Sequence, residues 1–310
     1  MNNMLHLTAG PHIHSHHSTR GVMLDVILAL VPAAIAGVAI FGLRALLVIA
    51  ICVLSAVASE ALFNLAIKKE QTIGDLSAVV TGLILALNLP ANIPLWQAIV
   101  GSVFAIIVVK CFFGGIGKNI VNPAIAARVF MLVAFGEMTK AAFPVDATAG
   151  ATPLATLAEG GKAPSLMTLF LGNYGGAIGE TCTLALIIGG IYLIARRVIK
   201  WHLPVAFIAT TYLFTLCLVG FDFTAALTWI LSGGLFIGAI FMATDYVTSP
   251  ATSGGQILFG FLCGIVTVMI RFFGNYPEGV SFAILLMNIL TPYIDIWTAH
   301  KPFGAKGGAN

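Results

Sequence analysis

The chain has 310 residues, of which 59% are hydrophobic and only 9% are charged, and its mean hydropathy is +1.01. A soluble domain carries about 25% charged residues, so this composition excludes a soluble fold, and the surplus apolar surface must face lipid. The formal net charge of +3 comes without any basic run, which excludes nucleic acid as a partner.

The first 20 residues contain five histidines but no apolar core of a cleavable signal peptide. Nothing fixes the geometry of these histidines, so we predict no metal site there. The five cysteines stand singly, without CxxC or Cys/His spacing. A zinc site, a disulfide framework and an iron–sulfur cluster held by this chain alone are therefore not expected.

A membrane-spanning helix needs about 20 predominantly apolar residues. With this window the sequence predicts an all-α polytopic membrane protein with about ten transmembrane helices. The predicted spans are 21–42, 45–67, 74–90, 94–113, 121–136, 177–196, 203–220, 224–243, 255–273 and 279–298.

The distribution of Lys and Arg predicts the orientation, because cytoplasmic loops carry an excess of both. With the amino terminus in the cytoplasm, nine of these residues fall inside and four outside. Both termini are therefore expected in the cytoplasm. The predicted regions are a tail (1–20), a first five-helix half (21–136), an extracytoplasmic loop (137–176), a second half (177–298) and a second tail (299–310).

A faint internal repeat supports two halves. Phe112-Phe113-Gly114 precedes Val121-Asn122-Pro123-Ala124-Ile125, and Phe272-Phe273-Gly274 precedes Val280-Ser281-Phe282-Ala283-Ile284. Because five helices per half is an odd number, the second copy must be inverted. Inverted repeats build sites near the membrane midplane from short or Gly-broken helices, and Thr81-Gly82-Leu83 and Gly233-Gly234-Leu235 are the candidates. The same glycines also suit close helix packing, and the two interpretations are compatible.

Charged residues inside spans cost roughly 2.5–3.5 kcal/mol each on insertion scales and are usually functional. Glu60 and Arg128 lie deep in spans. A pair between them would be structural, whereas either one alone facing a cavity would indicate an ion path or an anion anchor. Asp245 follows the Gly-containing eighth span and suits either a small cation or a helix stop. Glu180 completes the candidates for an ion path or flavin contacts.

Other polar residues have simpler interpretations. Asp25, Lys110, Arg271 and Asp295 lie near predicted span ends, where snorkelling or boundary error accounts for them. Asn119 and Asn122 could hydrogen-bond a ring or a phosphate, or could cap a helix that begins at Pro123.

The loop 137–176 carries the most specific pattern, Asp146-Ala147-Thr148-Ala149-Gly150-Ala151-Thr152-Pro153. It presents the Thr152 hydroxyl on a slim Gly/Ala backbone that another protein can grip, which indicates covalent attachment. Phosphorylation is an alternative. A nucleophilic Thr152 would need an adjacent base, and the loop supplies only Asp146 and Glu159, so we assign no catalytic residue.

These motifs resemble the D subunits of Rnf electron-transport complexes. The resemblance rests on this tract and on a set of shorter segments, which are Pro11-His12-Ile13, Thr19-Arg20, Met23-Leu24-Asp25, Phe112-Phe113-Gly114-Gly115, Asn122-Pro123, Gly172-Asn173-Tyr174-Gly175-Gly176, Gly179-Glu180-Thr181 and Met242-Ala243-Thr244-Asp245. The related B subunit of the sodium-pumping NADH:quinone reductase has the same architecture with a longer amino terminus, and is the second candidate.

The resemblance implies FMN bound to Thr152 through a phosphoester, placed by a flavin transferase that recognises Asp146, Thr148, Gly150 and Ala151 beside it. It also implies a second, non-covalent flavin and partner subunits of the Rnf A, B, C, E and G types. Such a complex, in a bacterial or archaeal cell (inner) membrane, couples electron transfer between ferredoxin and NAD to Na⁺ or H⁺ translocation. A channel or solute transporter with inverted repeats, and a structural scaffold, are the competing hypotheses.

Overall fold

The computed structural model describes residues 18–135, 152–161, 164–274 and 279–299, and in these ranges the chain is helical apart from turns, loops and one isolated β-bridge. The helices are α1 (Thr19–Phe41), α2 (Leu43–Ala66), α3 (Ser77–Leu87), α4 (Leu95–Val103), α5 (Pro123–Ala134), α6 (Pro153–Ala158), α7 (Leu166–Leu171), α8 (Thr183–Ala195), α9 (His202–Leu218), α10 (Phe223–Leu231), α11 (Leu235–Ile237), α12 (Ser253–Phe273) and α13 (Gly279–Thr298). Two of them continue as π-helices, α4 through Phe104–Cys111 and α11 through Gly238–Met242.

The all-helical, polytopic class predicted from the sequence is confirmed. By length and composition, α1, α2, α12 and α13 can each cross a membrane, and α10 with α11 forms a fifth such segment that bends by 67° at a short break. The other predicted spans correspond to shorter apolar helices.

Local sequence determines several helix boundaries. The Ser18 hydroxyl accepts a hydrogen bond from the N–H of Gly21 and caps α1. Gly42 separates α1 from α2 with a φ of 73°, a conformation that glycine adopts at little cost. The Asn122 side chain caps α5, and Pro123 occupies the first helical turn. The capping interpretation of Asn122 is therefore correct.

Glycines allow the helices to approach closely. A Cβ atom on Gly82 would lie 2.8 Å from the carbonyl oxygen of Cys52 in α2, and one on Gly260 would lie 2.7 Å from that of Leu203. Gly82 lies inside α3, which is short, at 11 residues, but is not broken at this glycine. The packing interpretation of Gly82 is therefore correct, and of the two expected forms, short or Gly-broken, α3 has the first. The non-helical segment after α3 begins at Asn88, next to Pro90.

The bundle has two sides. On the side where α1 begins and α13 ends, here called the terminal side, the Tyr192 hydroxyl donates to Asp25 at 2.9 Å. On the opposite side, here called the loop side, Arg44 donates to the carbonyl of Ile93 at 3.2 Å. Between the two sides, one large cluster of buried apolar side chains extends through both halves.

Candidate functional site

The predicted attachment residue Thr152 lies immediately before the short helix α6. Its Oγ1 accepts a hydrogen bond from the N–H of Ala155 at 3.1 Å, and its carbonyl accepts one from Thr156 at 2.9 Å. Thr152 is therefore the N-cap of α6, with Pro153 in the first turn. The other tract residues, Asp146, Thr148, Gly150 and Ala151, lie outside the described residues.

Helix α6 packs on the break between α10 and α11. Leu154 is completely buried. A Cβ atom on Gly233, whose φ is 82°, would lie 3.2 Å from Cδ2 of Leu154. The break thus forms a notch that receives the Leu154 side chain. The prediction of a Gly-broken helix at Gly233-Gly234 is correct, and the break lies close to α6.

Arg128 and Glu180 meet beside this break. Arg128 Nη2 lies 3.5 Å from Glu180 Oε2, and both residues are buried, at 3% exposure each. Arg128 Nη1 also donates to Oδ1 of Asn88 at 2.5 Å. A Cβ atom on Gly234 would lie 3.0 Å from Glu180 Oε2, so the pair needs glycine there.

Glu180 reaches this position on a buried segment between α7 and α8. Its backbone neighbours bind the end of α3: the N–H of Ile178 donates to Leu89, and that of Gly179 donates to Leu87 at 2.7 Å. The Glu180 carboxylate accepts a hydrogen bond from the N–H of Ala177 within its own segment. Glu180 and Asn88 therefore join the break of the second half to the end of α3 in the first.

Arg271 completes the group at the break and is only 3% exposed. Its Nη1 donates to the carbonyl of Trp229 at 2.9 Å, and its Nη2 donates to that of Ser232 at 3.4 Å. The snorkelling interpretation of Arg271 was therefore wrong, because helix packing against α10 holds the guanidinium inside the bundle.

Glu60 pairs with Lys110 and not with Arg128, so of the alternatives given for Glu60 and Arg128, a pair between the two does not form. Both Glu60 oxygens lie 2.9 Å from Lys110 Nζ, which also donates to the Ser77 hydroxyl at 2.6 Å. The Thr72 hydroxyl donates to Glu60 at 2.6 Å. Lys110 is 3% exposed, so snorkelling does not describe it either. This network joins α2, α3 and the π-helix after α4.

A cavity opens between these elements on the terminal side. Its walls are largely apolar side chains from α1, α3 and α8. A few polar residues converge on it, namely Ser77, Lys110, Asn119, Asn122, Thr244 and Asp245. Apolar walls with a few convergent polar groups are typical of small-molecule sites.

Asp245 lies in the turn that follows the π-helix after α11. Its carboxylate accepts hydrogen bonds from the N–H of Val247 at 3.3 Å and from the Thr248 hydroxyl at 3.4 Å. Burial raises the pKa of Asp245 to about 6, against the lowering effect of these hydrogen bonds. Asp245 therefore both stops the helix and lines the cavity.

A continuous series of polar contacts connects the cavity to the break. The Asn122 amide donates to the carbonyl of Met242 at 3.2 Å, and the Asn88 amide donates to the Met242 sulfur at 3.4 Å. From Asn88 the series passes to Arg128 and Glu180. The series thus joins Arg128 and Glu180 to the cavity that Asp245 lines. Glu60 binds Lys110, which lines the same cavity, and among the described residues it does not contact the series itself.

Sequence reasoning missed Asn88 and Tyr174. Asn88 was overlooked because a single amide at a span end has no distinctive spacing. The Tyr174 hydroxyl contacts the carbonyls of Glu180 and Leu231 at 3.4 Å each. Tyr174 stands in the segment Gly172-Asn173-Tyr174-Gly175-Gly176, which contributes to the family resemblance, but that segment did not indicate which groups the hydroxyl contacts. Among the described residues, no three His, Cys, Asp or Glu side chains are placed to hold a metal ion, and the histidine tail lies outside those residues.

The fold and site define a polytopic membrane protein with a broken helix in its second half and a polar path through its interior. A family model described as the NQR2, RnfD, RnfE family matches residues 6–304. The chain belongs to this family.

Several curated relatives match along nearly the whole chain. The D subunit of the Na⁺-translocating ferredoxin:NAD⁺ oxidoreductase complex of Acetobacterium woodii is 50% identical over 97% of this chain and 96% of the relative. The corresponding protein of the proton-translocating ferredoxin:NAD⁺ oxidoreductase complex of Clostridium ljungdahlii is 41% identical over 98% and 97%. That of the ion-translocating oxidoreductase complex of Escherichia fergusonii is 32% identical over 97% and 99%.

Proposed function

We propose that this chain is the flavin-carrying membrane subunit of an ion-translocating ferredoxin:NAD⁺ oxidoreductase complex. The observation that carries the proposal is the placement of Thr152 at the start of α6, in a chain that is 50% identical to such a subunit. The chain acts with the other Rnf subunits and is not catalytic alone. Both termini lie in the cytoplasm of a bacterial or archaeal cell, and α6 lies on the opposite side of the membrane.

The charge distribution supports this orientation. Within the described residues, basic side chains of the terminal side surround the ends of α2, α4 and α8. They are Lys68, Lys69, Lys118, Arg196, Arg197 and Lys200. An excess of Lys and Arg marks the cytoplasmic side, so the terminal side is cytoplasmic.

Thr152 suits a phosphoester with FMN. Its Oγ1 serves α6 as a hydrogen-bond acceptor from Ala155, and this role does not need the hydroxyl hydrogen. The oxygen can therefore carry the phosphoryl group while it still faces the Ala155 N–H. Thr152 is also only partly buried, so a flavin transferase can reach it. The bound flavin would exchange one or two electrons, and the protein would supply position and electrostatics.

The terminal-side cavity suits a second, non-covalent flavin. Its apolar walls match the faces of a flat ring system, and Asn119 presents a polar group to ring edges. Lys110 also lines the cavity, but its ammonium group donates to Glu60 and Ser77. Asn122 is less available, because its amide serves Met242 and the start of α5. The candidates for an ion path are Arg128 and Glu180, which the polar series joins to the cavity, and Asp245, which lines it. Glu60 does not lie in this series, but it binds Lys110, which lines the cavity.

Acid precipitation of the purified complex tests both flavins at once. Covalent flavin stays with the chain and fluoresces in a denaturing gel, whereas non-covalent flavin enters the supernatant. We expect Thr152→Ala to abolish the in-gel fluorescence of this chain and to leave the released flavin unchanged. Thr156→Ala, a matched threonine in the same helix, should retain the fluorescence. Peptide mass spectrometry should find an FMN adduct on Thr152.

A wild-type chain without covalent flavin would contradict the redox proposal. Solute flux through such a flavin-free chain would favour the transporter hypothesis. Electron transfer from NADH to a quinone, with no activity towards ferredoxin, would favour the sodium-pumping NADH:quinone reductase type.

A further inference from the structure

The break between α10 and α11 frees backbone carbonyls inside the bundle. At the end of α10, the carbonyls of Trp229 and Ser232 each accept a hydrogen bond from a side chain of another helix. The carbonyl of Leu231 lies 3.4 Å from the Tyr174 hydroxyl. Unwound carbonyls and half-helix carboxyl ends are the groups that coordinate small cations in membrane transporters.

The guanidinium of Arg271 occupies the position that a cation would take among these carbonyls. It donates to two of them, at 2.9 Å and 3.4 Å. Arg271 lies in the last turn of α12, which packs mainly against α9 and α13 and touches the broken helix through Phe272, whose ring stacks on Trp229 of α10. The guanidinium is thus a tethered positive charge, supplied to the break by a separate helix.

Two further buried charged residues lie beside Arg271. Arg128, Glu180 and Arg271 are each 3% exposed, and the Arg128 and Glu180 side chains lie 3.5 Å apart. A positively charged side chain in a narrow path excludes cations electrostatically. The notch at Gly233 brings the parts together, since a Cβ there would lie 3.5 Å from Nη2 of Arg271 and 3.2 Å from Leu154.

We infer that Arg271 is the residue that closes the cation path at the broken helix, by holding its own charge against the carbonyls that a translocated ion would use. Leu154 of α6 covers the same point from the loop side. Passage of an ion then requires the guanidinium to leave these carbonyls. This inference rests on the proposed ion translocation and adds to it the side chain that prevents leakage.

Passive leakage of the reconstituted complex tests the inference without any redox turnover. Proteoliposomes receive a potassium diffusion potential with valinomycin and no electron donor. Influx of ²²Na⁺ and of protons, the latter followed with a trapped pH dye, is then measured. We expect Arg271→Gln to raise the leak of Na⁺ or H⁺ at least about tenfold over wild type. Arg271→Lys retains the charge and should stay close to wild type.

Arg44→Gln is the matched control, because Arg44 also donates to a backbone carbonyl on the loop side but lies away from the break. It should leave the leak unchanged. Glu180→Gln tests whether the sign of the charge at the break matters. It removes the negative carboxylate and keeps both positive arginines. It should lower turnover-coupled ion transport severalfold while the passive leak remains at the wild-type level.

An assembled Arg271→Gln complex that is as tight as wild type would overturn the inference. Equal leaks from Arg271→Gln and Arg271→Lys would also overturn it, because hydrogen-bond geometry and not charge would then be responsible. If the Arg271→Gln complex does not assemble, the Glu180→Gln complex serves as the test. A passive leak from Glu180→Gln that is at least ten times the wild-type leak would also overturn the inference. A wild-type complex that transfers electrons without moving ions would instead contradict the proposed function.

Discussion

The two buried ionic clusters of this protein differ in what they bind. In the Glu60–Lys110 cluster the two opposite charges bind each other, and the described hydrogen bonds run to the side chains of Ser77 and Thr72. At the break, Arg128 pairs with Glu180, and Arg271 binds backbone carbonyls. A network in which side chains satisfy one another holds helices in place. A charged side chain that binds carbonyls of an interrupted helix is suited to a place where ions move.

The largest expected effect is the loss of one partner from the Glu60–Lys110 cluster. Lys110→Met leaves Glu60 buried without its cation, which typically costs about 3–5 kcal/mol. We expect a correspondingly lower midpoint of thermal unfolding, followed by tryptophan fluorescence of the detergent-solubilised protein. The double variant Glu60→Leu/Lys110→Met should recover most of the loss.

Lys69→Met is the control for that experiment, since Lys69 is exposed and its one hydrogen bond within the described residues runs to the carbonyl of Gly114. It should change stability little. A double variant that is no more stable than Lys110→Met would refute the view that the cluster is a structural staple.

A smaller effect is expected at the break itself. Gly233→Ala places an L side chain at a φ of 82° and brings its Cβ to 3.2 Å from Leu154. Backbone strain of about 1–2 kcal/mol then adds to overpacking of about 1–3 kcal/mol. Gly220→Ala has a similar φ of 75° with open space around the new Cβ, so it measures backbone strain alone.

The difference in unfolding midpoint between these two alanine variants reports how tightly α6 and Arg271 pack on the break. Equal midpoints would mean that the notch tolerates an added methyl group. The surroundings of Gly233 would then be no more tightly packed than the open loop at Gly220.

The smallest effect is a pH dependence at the cavity. Because burial raises the pKa of Asp245 to about 6 from the ordinary 3.8, the fold favours its neutral form. The resulting stabilisation is complete below pH 3.8 and is lost as the pH rises through about 6. It amounts to at most about 3 kcal/mol, and hydration of the cavity reduces it.

Asp245→Asn should therefore be more stable than wild type at pH 7.5, and this advantage should shrink at pH 4.5, as measured by thermal unfolding at both values. Asp222→Asn is the control of opposite sign. The hydroxyl and N–H of Thr224, with the N–H of Ala225, lower the pKa of Asp222, so its stabilising effect is present at neutral pH and lost in acid. If both variants showed the same pH trend, the result would contradict a pKa of Asp245 that is raised by burial.

Much of the fold was predictable from sequence because lipid requires long apolar segments, and an apolar run is a local property. The predicted ends of α13, 279–298, coincide with the structure, and most other boundaries differ by only a few residues. The Thr152 tract was likewise identifiable, because its residues are contiguous. The break at Gly233-Gly234 was also suggested locally, since paired glycines weaken a helix.

The pairing of charges was decided only by the tertiary structure. Glu60 and Arg128 both lie deep inside predicted spans, and the sequence does not show what each one contacts. The packing of α2 against the π-helix after α4 brings Lys110 to Glu60. The buried segment before α8 brings Glu180 to Arg128. Arg271 is an ordinary span-end arginine until α12 places it against the carbonyls of α10. Sequence determines which segments enter the membrane, because hydrophobicity acts residue by residue, whereas partners separated by 50 or more positions depend on how the helices pack.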